Sequence, residues 1–351
     1  MPVTATLHTT VIVTRNRPEA LALALPLHLR ASRLPAELLV IDSSDDPSAN
    51  QALMARLAPT TPVPLIHVPS PPGMTVQRNI GLARVRTEVV FFPDDDSLLL
   101  PGAIEAMLRI YDLDTGGRIG GVCSAESHAP PPDVLDTAAS AYRMTLADRL
   151  RARISQPRRR FEERYVPDPF HLAAERLYAR LPPAPDWLAG EEAITVPWMT
   201  GFRMSFRTDV IRQSGFNEAL GRYALFEDVD AGFQVLRSHL LVGARKARIY
   251  HHKAPQRRAN GRALGAMQLL NHAYVIARSG QTDRAVQRAL RRFERYKIAQ
   301  YLAGARGEFG RDRLAGARAA ARVGMDLLMA PPDQVDALYL ELRAACFASE
   351  D

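Results

Sequence analysis

Three carboxylates in a row, Asp94, Asp95 and Asp96, stand directly after the segment EVVFFP, Glu88 to Pro93. Adjacent carboxylates repel one another and are tolerated where a divalent cation or a donor-rich loop neutralises them. The triplet follows an unbroken apolar run, Val89 to Phe92, which reads as a strand buried on both faces. In open α/β sheets ligands bind at the C-terminal ends of such strands, so a metal site is the sharper reading and a solvated acidic turn the bland one. A second acidic group, Glu227, Asp228 and Asp230, opens a helix expected over Phe226–Ser238, FEDVDAGFQVLRS. The helix dipole favours negative charge there, so these carboxylates either cap the helix or act as ionised groups in a reaction. A histidine pair, His251 and His252, follows directly on a strand expected over Val242–Tyr250.

The elements that must position these groups alternate in type. Leu7–Thr14, Glu37–Ile41, Val63–Val68 and Val89–Phe92 read as strands, and Ile119–Ser124 as a further one. Between them, Glu19–Arg30, Asn50–Leu57, Thr75–Arg84 and Pro101–Tyr111 read as helices, the first interrupted by Pro26 and the last opened by proline at a favoured position. Strand–helix alternation at this spacing predicts a parallel sheet with crossover helices. Asp209–Ser214 reads as a short helix stopped by Gly215.

With 351 residues, 47% hydrophobic and 24% charged, the chain is composed like a globular protein of one large domain or a domain with an appendage. The excess of Lys and Arg over Asp and Glu is +7 and the sequence pI is about 9.7, a balance that suits anionic partners. Cys123 and Cys346 are the two cysteines and match no metal spacing, which argues against a disulfide framework and for a reducing compartment. The sequence shows neither a signal-peptide pattern nor an apolar stretch of about 18 residues, so a cytoplasmic protein is expected, with peripheral contact at the inner face of a membrane left open.

From 130 to 193 the pattern loosens into a Pro/Arg-rich insertion. It includes a run from Arg149 to Arg164 with seven arginines, read as a solvated face or as a contact with an acceptor or an anionic membrane. Few aromatics are interleaved with the basic residues, so no nucleic acid is expected as a partner. Beyond 256 the chain is rich in Ala, Arg and Leu at helical spacing, giving a helical region over 256–351 after a principal domain over 1–255.

The ordered set VIVTRNRPEAL, VIDSSDD, GMTVQRNIGLA, VVFFPDDDSLLLPGAI, TGFRMSFRTDVIRQSGFNEAL, FEDVDAGFQVLR and HH resembles the family 2 glycosyltransferases over Leu7 to Lys253. The resemblance implies a GT-A fold, a Rossmann-like, mostly parallel sheet flanked by helices, here with a C-terminal helical extension. It also implies inverting transfer of a sugar from a nucleotide-diphosphate donor to a hydroxyl. By resemblance, Asp42 contacts the base with Thr14 and Arg15 beside it, Arg78 reaches the base or a phosphate, Asp94 lies near the ribose, and Asp95 belongs to the nucleotide-sugar site. Asp96 and one of His251 and His252 would ligate Mn2+ or Mg2+, hard cations suited to oxygen ligands. Asp228 matches the family's general base, and Glu227 beside it would bind acceptor hydroxyls. Trp198 is a candidate for stacking on a sugar, and Arg203 for holding a phosphate or an anionic acceptor. The segment Gly201–Arg207 departs from the family's usual Gly-x-Asn/Ser-x-x-Phe-Arg, because Phe202 and Arg203 replace smaller residues. The QxxRW motif of processive synthases is absent; Gln256-Arg257-Arg258 is not that motif.

These readings converge on a metal-dependent glycosyltransferase using a UDP- or dTDP-sugar. Its expected acceptor is a saccharide or lipid-linked saccharide in surface polysaccharide or glycolipid synthesis. One rival is a sugar-phosphate nucleotidylyltransferase, which would want a glycine-rich loop where TRNRPEAL has no glycine. The other is a catalytically inactive nucleotide- or glycan-binding protein on the same scaffold.

Overall fold

The computed structural model describes residues 5–134, 165–221, 223–253 and 260–347. The run from Arg149 to Arg164 lies outside them. Two compact units are present, one made of Met1–Tyr142 and Leu181–Gln256, the other of Arg143–Arg180 and Arg257–Asp351. Of the described residues in 130–193, 130–134 and 181–193 lie in the first unit and 165–180 in the second.

The first unit is built on a nine-stranded sheet. Its elements in chain order are β1 (His8–Thr14), α1 (Pro18–His28), β2 (Glu37–Asp42), α2 (Ser48–Leu57), β3 (Leu65–Pro69), α3 (Met74–Leu82), β4 (Val89–Pro93), β5 (Ser97–Leu99), α4 (Ala103–Leu113) and β6 (Ile119–Ser127). In the second unit α5 (Pro169–Tyr178) follows, after which the chain re-enters the first with α6 (Trp187–Gly190), β7 (Ala193–Thr195), β8 (Arg203–Arg207), α7 (Thr208–Arg212), α8 (Glu227–Val235) and β9 (Leu240–His251).

The strand order is β3-β2-β1-β4-β8-β6-β9-β5, with β7 also on β9. The half from β3 to β4 is parallel, as its crossover helices require. The strand β8 then enters antiparallel between β4 and β6, while β6 and β9 are parallel again. β2 and β4 are buried along nearly their whole length, which is why they read as unbroken apolar runs. One core cluster joins β4, β6 and β9 to α4 through Phe91, Met107, Leu108, Val122 and Ile249, and another joins β1 and β2 to α1 and α2 through Ile12, Leu25, Val40 and Leu53.

The second unit completes α5 with α9 (Gly261–Ser279), α10 (Arg284–Ala303), α11 (Gly307–Met329) and α12 (Val335–Cys346). α9 is buried on nearly all sides. It lies against α11 at backbone contact: a Cβ on Gly265 would overlap the Arg313 carbonyl oxygen, and one on Gly316 would overlap that of Arg262. Tyr274 stacks on Tyr339 at 3.6 Å, and their hydroxyls donate to Asp336 and Asn271. Among the described residues no helix is long and apolar enough to cross a membrane.

Candidate active site

The aspartate triplet occupies the turn between β4 and β5. Pro93 ends β4, the Asp94 amide donates to Ser97 Oγ at 3.0 Å, and the Ser97 amide donates back to the Asp94 carbonyl at 3.0 Å. β5 then pairs antiparallel with the end of β9, Ser97 opposite His251. That register brings a histidine from a distant part of the chain to the aspartates. His251 Nε2 is 3.4 Å from Asp96 Oδ1, and its ring stacks on Phe202 at 4.4 Å. Asp94, Asp96 and His251 each offer a ligand atom within 4.8 Å of the others. His252 contributes its backbone, donating to the Asp96 carbonyl at 3.0 Å, and its ring is not part of that group.

The donor chemistry of this cluster fits a divalent cation. Two carboxylates and an imidazole are hard and borderline ligands of the kind Mn2+ accepts, and Mg2+ would favour the oxygens. Burial works against ionising Asp96, but His251 and Arg17 outweigh it and hold its pKa at about 2. Arg17 precedes α1 and reaches Asp95 at 2.8 Å and Asp96 at 2.5 Å. Asp95, fully buried, also accepts from Thr14 Oγ1 at 2.7 Å.

A second network lies behind Asp94. Arg78, on α3 and 1% exposed, donates to Glu227, to Asp94 at 3.1 Å and to the Gly201 carbonyl at 3.3 Å. Burial opposes its charge, yet Glu227 and Asp94 prevail and raise its pKa. Arg78 is therefore a buried strut between Asp94 and Glu227. Glu227 engages Arg78 through Oε1, while its buried Oε2 has no hydrogen-bond partner. Gly201 has no room for a side chain, since a Cβ there would sit 3.0 Å from Glu227 Oε1 and 3.3 Å from Arg78.

Asp228 opens α8 next to Glu227 and remains half-buried. Its Oδ2 accepts from the Gly201 amide at 3.0 Å and its Oδ1 from the Val229 amide at 2.9 Å. The residue before the helix, Phe226, has φ 72°, a left-handed conformation that costs energy outside glycine and is held by its surroundings. Burial raises the Asp228 pKa against the pull of the Gly201 amide and Arg78, a direction that suits a proton acceptor.

Asp42 ends β2 in register with Thr14 on β1. Its carboxylate is already served by the Ser44 amide at 2.8 Å, Asn50 Nδ2 at 2.8 Å and His67 Nε2 at 3.0 Å. Burial disfavours its charge, but these hydrogen bonds dominate and lower its pKa. Gln77 ties the two strand ends together, donating to the carbonyls of Thr14 and Ile41 at 3.0 and 2.8 Å. Arg15 is exposed and pairs with Asp45 at 3.3 Å. Arg203 donates to the Ser124 carbonyl and to Thr200 at 3.4 Å. Trp198 is half-buried with its Cβ beside Gly232 of α8, a packing position.

The sequence reading missed Arg17, Gln77, Asn50 and His67. A histidine inside the apolar strand LIHVP and a second arginine in TRNRP were the available signals.

Residues 9–158 match the family model described as glycosyl transferase family 2. That stretch, a little under half of the chain, is similar to a family 2 glycosyltransferase domain. An uncharacterized glycosyltransferase, YwdF of Bacillus subtilis (strain 168), is 29% identical over 99 residues, 28% of this chain and 36% of the relative. The match thus spans about a third of that relative's length. Among solved structures, the mannosyltransferase PcManGT from Pyrobaculum calidifontis, in complex with GDP-Man and Mn2+, is similar at TM-score 0.52 and 16% identity, covering 100% of this chain and 89% of that one. S. aureus TarS 1–349 is similar at TM-score 0.51 and 11% identity, covering 98% and 90%. At these identities the likeness is one of fold, and it agrees with a GT-A arrangement.

Proposed function

We propose that this protein is a metal-dependent, inverting glycosyltransferase that moves a sugar from a nucleotide-diphosphate donor to a hydroxyl of a saccharide or lipid-linked saccharide. The observation that carries the reading is the linkage of two carboxylate centres through one buried arginine. Arg78 contacts Asp94 of the Asp94–Asp96–His251 cluster and also Gly201, whose amide holds Asp228.

In this reading Asp94, Asp96 and His251 would hold the cation, which when bound supplies positive charge for the departing diphosphate. Asp42, at the level of Thr14, marks the nucleoside end. Asp228 takes the proton from the acceptor hydroxyl as its oxygen bonds to the anomeric carbon. The bond from that carbon to the diphosphate oxygen breaks, and its electron pair leaves with the nucleotide. Attack opposite the leaving group inverts the anomeric centre.

PcManGT was solved with GDP-Man and a TarS structure with UDP-GlcNAc, so guanine and uracil nucleotides both belong in the test beside dTDP. Calorimetric titration of the protein with UDP, dTDP and GDP, each with Mn2+ and with EDTA, should show one nucleotide binding in the presence of metal alone. Sugar transfer from the matching donor should then require the same metal. Binding of none of the three, with no donor turnover, would overturn the proposal in favour of an inactive scaffold.

A further inference from the structure

We infer that α10 docks the helical unit onto membranes rich in anionic phospholipid. At 3.6 residues per turn, positions 284, 288, 291, 295, 299 and 302 fall on one face of this helix. They carry Arg284, Arg288, Arg291, Arg295, Ala299 and Leu302, and all six are exposed, on the face opposite the buried Val286, Ala289, Leu290 and Phe293. Among the described residues none of these four arginines forms an ion pair. The helix holds one acid, Glu294, which is 5% exposed and feels Arg291 of the stripe without forming a salt bridge to it. The result is a row of unpaired guanidinium groups along a helix about 30 Å long.

The face ends in an apolar tip, which Ala299 begins. Leu302 is 56% exposed, and Phe309, in the first turn of α11, is 49% exposed. Arg306 and Arg311 are exposed beside them. Arginines along a surface helix with an exposed aliphatic and an aromatic at its end suit a headgroup layer with the acyl boundary beneath it. Single-stranded RNA would instead want aromatics on the basic face for base stacking. Of the aromatics of α10, Phe293 and Tyr301 are turned inward, at 9% and 8% exposure, and the half-buried Tyr296 lies about 120° around the helix from Arg284, off the arginine row. The charge and the apolar tip therefore fit a lipid surface better than a nucleic acid.

The test uses the full chain without donor or acceptor, so its outcome is independent of sugar transfer. Flotation with vesicles of phosphatidylcholine alone, and of phosphatidylcholine with one-third phosphatidylglycerol, should show binding to the anionic vesicles that weakens in high salt. Replacing Arg284, Arg288, Arg291 and Arg295 together by Gln, whose helix propensity is close to that of Arg, should lower the partition coefficient at least tenfold with an unchanged far-UV spectrum. Leu302→Ser, with all arginines in place, should lower it severalfold. Wild-type partitioning by the quadruple variant, equal binding to both vesicle types, or preferential binding of a single-stranded RNA homopolymer in competition with the anionic vesicles would each overturn the inference.

Discussion

Arg17 Nη2 lies 2.5 Å from Asp96 Oδ2, and the other arm of the same guanidinium lies 2.8 Å from Asp95. An arginine thus supplies positive charge at a carboxylate that a divalent cation would need. It explains how three adjacent aspartates, two of them buried, are kept together in the folded chain. It also sets up a competition between two cations for Asp96.

The competition is measurable without turnover. Arg17→Gln should bind Mn2+ in the absence of nucleotide roughly tenfold more tightly than the wild type, because Asp96 is released to the metal. It should also melt at a lower temperature, because a largely buried ion pair has lost one member. Mn2+ titration by electron paramagnetic resonance, beside thermal unfolding, reads both. Weaker Mn2+ binding in the variant would show that Arg17 supports the cation site and does not compete for it.

Asp228 accepts from two backbone amides, Gly201 and Val229; Asn keeps its size and one of these two hydrogen bonds and does not touch the buried Arg78–Glu227 pair. Asp228→Asn should lower the transfer rate by about two to four orders of magnitude, the range for a lost general base. Nucleotide affinity measured by calorimetry should stay within a few-fold of the wild type. A collapse of donor affinity with this variant would move Asp228 from the acceptor side to the donor side.

Glu227 and Arg78 are 149 positions apart in the chain and almost wholly buried together. Breaking such a pair from one side leaves an uncompensated charge and costs about 3–5 kcal/mol. Glu227→Gln should therefore show a large loss of stability in urea unfolding. Unaltered stability together with a raised KM for acceptor would support the direct role in acceptor binding that the sequence suggested.

The sequence carried the strand ends well because burial leaves a local signature. Apolar runs ending in Asp42 and Asp94 placed those residues at the C-terminal edge before any partner was known. The histidine pair after β9 was legible for the same reason, but the sequence did not distinguish His251, which ends the strand, from His252. The roles of Arg78 and Glu227 were not legible, since nothing in a local pattern distinguishes a buried ion pair from two ligand-binding side chains. The same holds for β5, three residues long, which looks like the continuation of an apolar loop until its pairing with β9 is seen. The antiparallel entry of β8 was hidden too, because direction in a sheet is set by the connection and not by the strand's own residues. Arg17 and Arg15 are equivalent in sequence, and only the entry into α1 separates them, turning one to the aspartates and leaving the other exposed at Asp45.

Glu294 gives the helical unit a pH dependence of its own. It lies on α10 within the bundle, 5% exposed, with Gly324 of α11 so near that a Cβ there would stand 3.1 Å from its Oε1. Burial pushes its pKa up to about 7, opposed weakly by Arg291, against an ordinary value of 4.5. A carboxyl whose pKa is raised on folding binds its proton more tightly in the native chain than in the unfolded one. Its contribution is therefore fully present below about pH 4.5 and is lost as pH climbs toward 7. A shift of this size corresponds to roughly 3–4 kcal/mol. Glu294→Gln keeps the shape and removes the titration, so the variant should be more stable than the wild type at pH 8 by about that amount. The two should converge toward pH 4.5, where the wild-type carboxyl is protonated in the native chain. Urea unfolding of both proteins across this range, followed by far-UV dichroism of the helices, checks the slope. Parallel curves for the two proteins would mean that Glu294 stays ionised in the bundle and that water or a cation reaches it there.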